Sequence, residues 1–150
     1  MPRGACPAAE SKRLCDNRLV DEQTLEVYRT HAKEFADRDA KVGSSIARYF
    51  QLAFPVHGAT APRILDVGAG SGRELATLVA ERFDALGVEP VEALRHEAQV
   101  RHPGLESRIV AGALPGLGAA IEGSFDGLVC SAVLQHVPRQ RLFDAVIDLR

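Results

Sequence analysis

Ile64-Leu65-Asp66-Val67-Gly68-Ala69-Gly70-Ser71-Gly72-Arg73-Glu74 is the stretch that decides the fold. An apolar run holding one carboxylate leads into glycines at alternate positions. An amphipathic stretch, Arg73 to Phe83, follows with Leu75, Leu78, Val79 and Phe83 apolar. This order reads as strand, tight turn and helix. Glycine lets the turn bend sharply and approach a ligand with no Cβ in the way. Open α/β sheets bind ligands at the carboxyl ends of their parallel strands, which is where this turn falls.

The same rhythm continues downstream. Ala85 to Val88 reads as a second strand and Val91 to Val100 as a helix. Arg108 to Ala111 reads as a third strand. After a glycine- and alanine-rich stretch, Phe125 to Ser131 makes a fourth. Pro138 suits the first turn of a last helix, whose apolar face is Leu142, Phe143, Val146, Ile147 and Leu149. Strands alternating with helices predict a doubly wound parallel sheet with right-handed crossovers, over residues 63–150. Upstream, residues 21–54 form a helical arm. Leu25, Tyr28, Ala32 and Phe35 recur at helical spacing, and Val42, Ile46, Tyr49, Phe50 and Ala53 follow, with Gly43-Ser44-Ser45 as a break. Pro55 to Pro62 is turn chemistry that ends the arm. Residues 1–20 lack periodicity and read as a flexible tail.

Composition narrows the classes. The 150 residues suit one domain, and 46% apolar content supports a packed core. No apolar run approaches a membrane span, and the N-terminus lacks the apolar core of a signal peptide. A net charge of −2, with scattered basic residues, gives no footprint for nucleic acid. Cys6, Cys15 and Cys130 are too few for a disulfide framework and lack zinc-ligand spacing. These features predict a cytoplasmic protein with reduced thiols and no metal.

Two carboxylates give the glycine turn its chemistry. Glu89 ends the second strand, where an acidic side chain can accept hydrogen bonds from both hydroxyls of a ribose. Dinucleotide sites use G-x-G-x-x-G with a pyrophosphate on the helix N-terminus. Here the spacing is G-x-G-x-G, and Asp66 stands two positions before the first glycine. A carboxylate there sits poorly beside a pyrophosphate. It suits a cofactor carrying an ammonium and a sulfonium.

With ILDVGAGSGRE at 64–74, LGVEP at 86–90, and Phe125-Asp126 through LQHVP at 134–138, the chain resembles the class I S-adenosylmethionine-dependent methyltransferases, in particular their small-molecule, type 11/25-like members. The resemblance covers residues 63–138 well and the arm more loosely. It implies a Rossmann-like sheet and S-adenosylmethionine as cofactor. Asp66 with the backbone of Gly68, Ala69, Gly70 and Gly72 would hold the methionine end. Glu89 would grip the ribose, Pro90 would lie on the adenine side, and Gly112 and Ala113 would lie at the adenine edge. Cys130 and Ser131 would offer carbonyls beneath the amino group. Tyr28, with Ala32-Lys33-Glu34-Phe35, resembles the family's cofactor-covering helix.

Two departures stand out. Ala113 replaces the aspartate that many members use for the adenine amino group. The chain also ends at Arg150, inside the fourth helix, whereas the family's sheet has seven strands. The expectation is therefore an incomplete fold, a truncated product or a chain needing a partner. Its fourth strand would be an exposed apolar edge through which two copies could pair.

The implied reaction is direct in-line transfer of a methyl group to an oxygen, nitrogen or carbon nucleophile on a small molecule. His136, just after strand four, is the candidate general base. Arg73 could meet a cofactor carboxylate or simply be solvated. Gln135 is a polar wall residue or a solvated one, and Cys130 packs as a small hydrophobe. His31, His57, His96 and His102 have no partner spacing. The competing readings are a cofactor-binding remnant without catalysis and a nicotinamide-dependent oxidoreductase.

Overall fold

The structure is a computed structural model that describes residues 21–56 and 58–150. The expected tail at 1–20, with Cys6 and Cys15, and His57 lie outside the described residues.

Four strands form one parallel sheet: β1 (Arg63–Val67), β2 (Asp84–Val88), β3 (Ile109–Val110) and β4 (Gly127–Cys130), in the order β3-β2-β1-β4. The chain leaves β1 in one direction for β2 and later returns to its other side for β4. The carboxyl end of β1 is thus the topological switch point, with the glycine turn upon it. Side chains alternate between faces. Ile64, Ala85, Ile109 and Val129 join one apolar layer with Leu75 and Leu78 of α4 (Arg73–Ala80) and Ala98 of α5 (Glu92–Arg101). Leu65, Val67 and Val88 join the other with Leu114, Leu117, Val137 and Ala145. Covering both faces is what makes β1 almost wholly buried along its length.

The arm is less regular than its periodicity suggests. One helix from Asp21 is expected, but two form: α1 (Glu22–Thr30) and α2 (Ala32–Lys41), broken at His31, whose φ of −113° and ψ of 20° leave the helical region. Asp21 caps α1 by accepting from the Thr24 amide at 2.9 Å. α1 buries nothing fully, whereas α2 buries Ala32 and Ala36 and packs across α5. The second amphipathic stretch shrinks to a 3-10 turn at Ala47–Tyr49 and a single helical turn, α3 (Phe50–Ala53). Of its apolar positions only Phe50 is fully buried, while Val42 is 60% exposed.

The remaining boundaries shift for local reasons. α4 ends at Ala80 because Arg82 adopts a left-handed φ of 70° before β2. β4 starts at Gly127 rather than Phe125. Asp126 is spent on Arg63, whose amide donates to its carboxylate at 2.8 Å, and the Arg63 guanidinium lies over the Phe125 ring. Pro138 precedes a 3-10 turn, and α6 begins only at Leu142 (Leu142–Asp148). Of the face expected for α6, Phe143 is 75% exposed, and Val146 and Ile147 are also in solvent. Ala145 is the α6 residue buried against the sheet, with Leu142 and Leu149 partly covered. Among the described residues no helix is long and apolar enough to cross a membrane, and no cluster of His, Cys, Asp and Glu could hold a metal ion.

Candidate functional site

A cleft of about 290 Å³ opens over the carboxyl ends of β1, β2 and β4, roofed by α1 and α2. Its floor is the glycine turn. Both Gly68 and Ala69 donate their amides to the Val88 carbonyl, at 2.8 and 3.0 Å, which ties the turn to β2. Gly68 has a φ of 71°, and a Cβ there would stand 2.4 Å from Val133 Cγ2. The position therefore demands glycine for backbone and space alike.

Glu89 locks the turn from the side. It is 5% exposed, and its Oε2 accepts from the Gly70 amide at 3.0 Å while Oε1 accepts from the Val91 amide at 2.8 Å. Burial raises its pKa above the usual carboxylate range, and these two amides pull it back. Each oxygen still has acceptor capacity for a ligand hydroxyl.

Asp66 is the anomaly. It is 2% exposed, and its Oδ2 has no hydrogen-bond partner. Burial, then the charges of Glu74 and Glu89, push its pKa up to about 8. A buried polar atom without a partner is costly, and native proteins keep few of them. Here four carboxylates, Asp39, Asp66, Glu74 and Glu89, line one cleft, so the site favours a cation at Asp66.

Most of the expected residues meet in this cleft. Asp66, Gly68, Ala69 and Gly70 line its floor; Glu89, Pro90, Gly112 and Ala113 line one side; Ser131, His136 and Tyr28 line the other. Two lie elsewhere. Gly72 faces away, where a Cβ would come within 2.9 Å of Ala98 and Leu105, so it sets the spacing between α4 and α5. Cys130 sits half-buried in the apolar layer behind the cleft, and burial raises its thiol pKa. Arg73 also lines the cleft, partly exposed, but its guanidinium is paired rather than free. It is bonded to Glu74 at 2.8 Å and to the Val42 carbonyl at 3.0 Å, and lies 3.7 Å from Asp39.

The cleft also holds Asp39, which the sequence reading did not single out. Asp39 of α2 accepts from the Ser71 hydroxyl at 2.9 Å, pinning the arm to the glycine turn. Phe35, four residues earlier on the same side of α2, lines the roof, and Arg38 lies over its ring. The helical spacing of Phe35 and Asp39 is visible in the sequence, but the partner that gives it meaning lies more than thirty residues away. At the mouth, Tyr28 Oη comes within 3.3 Å of His136 Nε2.

Over residues 31–147 the chain matches the family described as methyltransferase domain. Solved structures share its fold. A SAM-bound amino pentose methyltransferase from Micromonospora echinaspora is 24% identical, with 99% of this chain and 52% of that one covered and a TM-score of 0.51. Magnesium protoporphyrin IX methyltransferase from Synechocystis, with bound SAH, is 18% identical over 94% of this chain and 60% of that one, at a TM-score of 0.54. A SAM-dependent methyltransferase from Thiobacillus denitrificans, in complex with S-adenosyl-L-homocysteine, is 17% identical over 77% and 50%, at 0.52. The chain spans about half the length of these proteins. No curated protein matches it.

Proposed function

The chain belongs to the methyltransferase domain family, and from that premise we propose that its cleft binds S-adenosylmethionine and directs a methyl group to a nucleophile on a small molecule. The observation that carries this reading is Asp66 Oδ2, buried and without a partner in a cleft that Glu74 and Glu89 also line. An amino-acid ammonium satisfies that oxygen, whereas a dinucleotide pyrophosphate would be repelled by it.

The chain's residues have distinct tasks. Asp66 holds the ammonium, with the backbone of the glycine turn around it. Glu89 accepts the ribose hydroxyls while keeping Gly70 in place. Ala113 offers no carboxylate, so backbone groups of Gly112 and Ala113 meet the adenine edge. When bound, S-adenosylmethionine supplies a methyl group already activated by its sulfonium, and so needs no metal or covalent enzyme intermediate. The protein's share is alignment of the acceptor in line with the sulfur–methyl bond, and removal of the acceptor's proton by His136.

Calorimetric titration with S-adenosylhomocysteine tests the reading, with NADH as control and Asp66→Ala and Glu89→Ala as variants. Binding of the first ligand alone, weakened by both substitutions, is expected. Binding of NADH in its place would establish the oxidoreductase reading, and absence of both from a folded chain would refute cofactor binding. Binding without turnover on any acceptor panel would favour the non-catalytic remnant.

A further inference from the structure

α1 and the turn after β4 meet at one point of the cleft mouth. There Tyr28 Oη lies 3.3 Å from His136 Nε2, and the two rings stand edge to face with centroids 5.6 Å apart. Phe35 packs against Tyr28 from α2, with ring centroids 4.7 Å apart. Gln135 places its amide nitrogen 3.4 Å from the same imidazole nitrogen.

An amide nitrogen only donates hydrogen bonds, and a phenol hydroxyl can donate. Both contacts can be hydrogen bonds at once only when Nε2 is the acceptor, which puts the neutral ring's proton on Nδ1. Methyl transfer to a hydroxyl or amine leaves one proton over. The new bond forms from the nucleophile to the methyl carbon, the carbon–sulfur bond breaks with its electron pair left on sulfur, and the nucleophile's proton goes to a base. An unprotonated Nε2 can take it; an Nε2–H cannot.

We propose, on the methyl-transfer reading above, that Tyr28 is a positioning residue that holds neutral His136 as the Nδ1–H tautomer, with the basic Nε2 kept at the cleft wall for an O–H or N–H acceptor. The acceptor then takes the place of the Tyr28 hydroxyl on that nitrogen. Tyr28 thereby acts through His136 rather than on the cofactor.

Long-range proton–nitrogen NMR of histidine-labelled protein, without cofactor and at about pH 9 where an ordinary imidazole is neutral, reads each tautomer. The His136 signal is assigned by its loss in His136→Gln. The Nδ1–H form is expected in excess in the wild type. Tyr28→Phe keeps the ring and its packing on Phe35 but removes the hydroxyl, and should lower the tautomer ratio about fivefold, the worth of one hydrogen bond. Gln135→Ala should change it less than about twofold, since that contact is longer and exposed. The proposal is overturned by an unchanged ratio in Tyr28→Phe, or by a larger change in Gln135→Ala. A wild-type ring mainly in the Nε2–H form overturns it by itself, even if Tyr28→Phe does not fold. Failure of S-adenosylhomocysteine to bind, with the Tyr28-dependent tautomer intact, refutes the methyl-transfer reading alone.

Discussion

Asp66 makes ligand binding a proton-linked event. Its pKa is pushed up to about 8 by burial and by the Glu74 and Glu89 charges, so at pH 7, before a ligand is added, about nine-tenths of the molecules hold a proton there. A ligand ammonium placed on Oδ2 favours the carboxylate and expels that proton. Calorimetry of S-adenosylhomocysteine at pH 7, in buffers of different ionisation enthalpy, should therefore show release of close to one proton per ligand. Affinity should rise almost tenfold per pH unit between about pH 6 and pH 7, and Asp66→Asn should bind weakly with no such slope. Heats identical in all buffers, with binding intact, would refute the reasoning, because Asp66 would then be ionised before the ligand arrives.

The same carboxyl sets a stability gradient of opposite sense to an ordinary ion-paired aspartate. Its folded pKa lies above the unfolded one, so the folded chain keeps a proton that the unfolded chain loses. The favourable contribution is whole below the unfolded value of 3.8 and is lost as pH rises to about 8. Across about four pH units the ceiling is about 6 kcal/mol, comparable to the whole stability of a small domain. Asp66→Asn, which cannot ionise, should flatten this gradient in urea denaturation and leave the empty chain more stable than wild type at pH 8.

Three further outcomes follow from the packing. Glu89→Gln replaces one accepting oxygen by a donor and strands either the Gly70 or the Val91 amide; S-adenosylhomocysteine affinity should fall at least about tenfold, and stability by about 1–3 kcal/mol, read by calorimetry and denaturation. Gly87→Ala would set a Cβ 2.7 Å from Leu75 Cδ2 and 2.9 Å from Ala69, forcing α4 off the sheet at a cost of about 1–3 kcal/mol in urea denaturation. Phe143→Ser, on the exposed side of α6, should change stability by less than about 0.5 kcal/mol, and a larger loss in thermal denaturation would show that this ring is covered in solution.

The sheet and its switch point were legible because β1 and the glycine turn signal themselves locally. An apolar run, a glycine spacing and a helix start need only their own neighbours to be read. Glu89 was legible for the same reason, as the acidic end of a strand. What escaped the sequence reading depends on partners distant along the chain. Nothing near Gly72 announces that Ala98 and Leu105 press on it, nor near Asp39 that Ser71 is its partner. Helical periodicity also overstated the arm and α6. It finds an amphipathic face but does not say whether anything lies against that face, and Val42 and Phe143 meet solvent.

The placement of Asp66 and Glu89 shows how one cleft uses two similar groups differently. Glu89 has both oxygens occupied by amides of its own chain, so it shapes the site before any ligand arrives. Asp66 has one oxygen without a partner, so it holds back part of the fold's stability until a cation satisfies it. Binding energy spent relieving Asp66 is energy the empty protein had forgone, which makes the cleft selective for charge as well as shape. A neutral analogue lacking the ammonium would leave the carboxyl protonated and gain none of that relief. The affinity gap between it and S-adenosylhomocysteine should therefore widen as pH climbs from 6 towards about 8, where Asp66 ionises more readily.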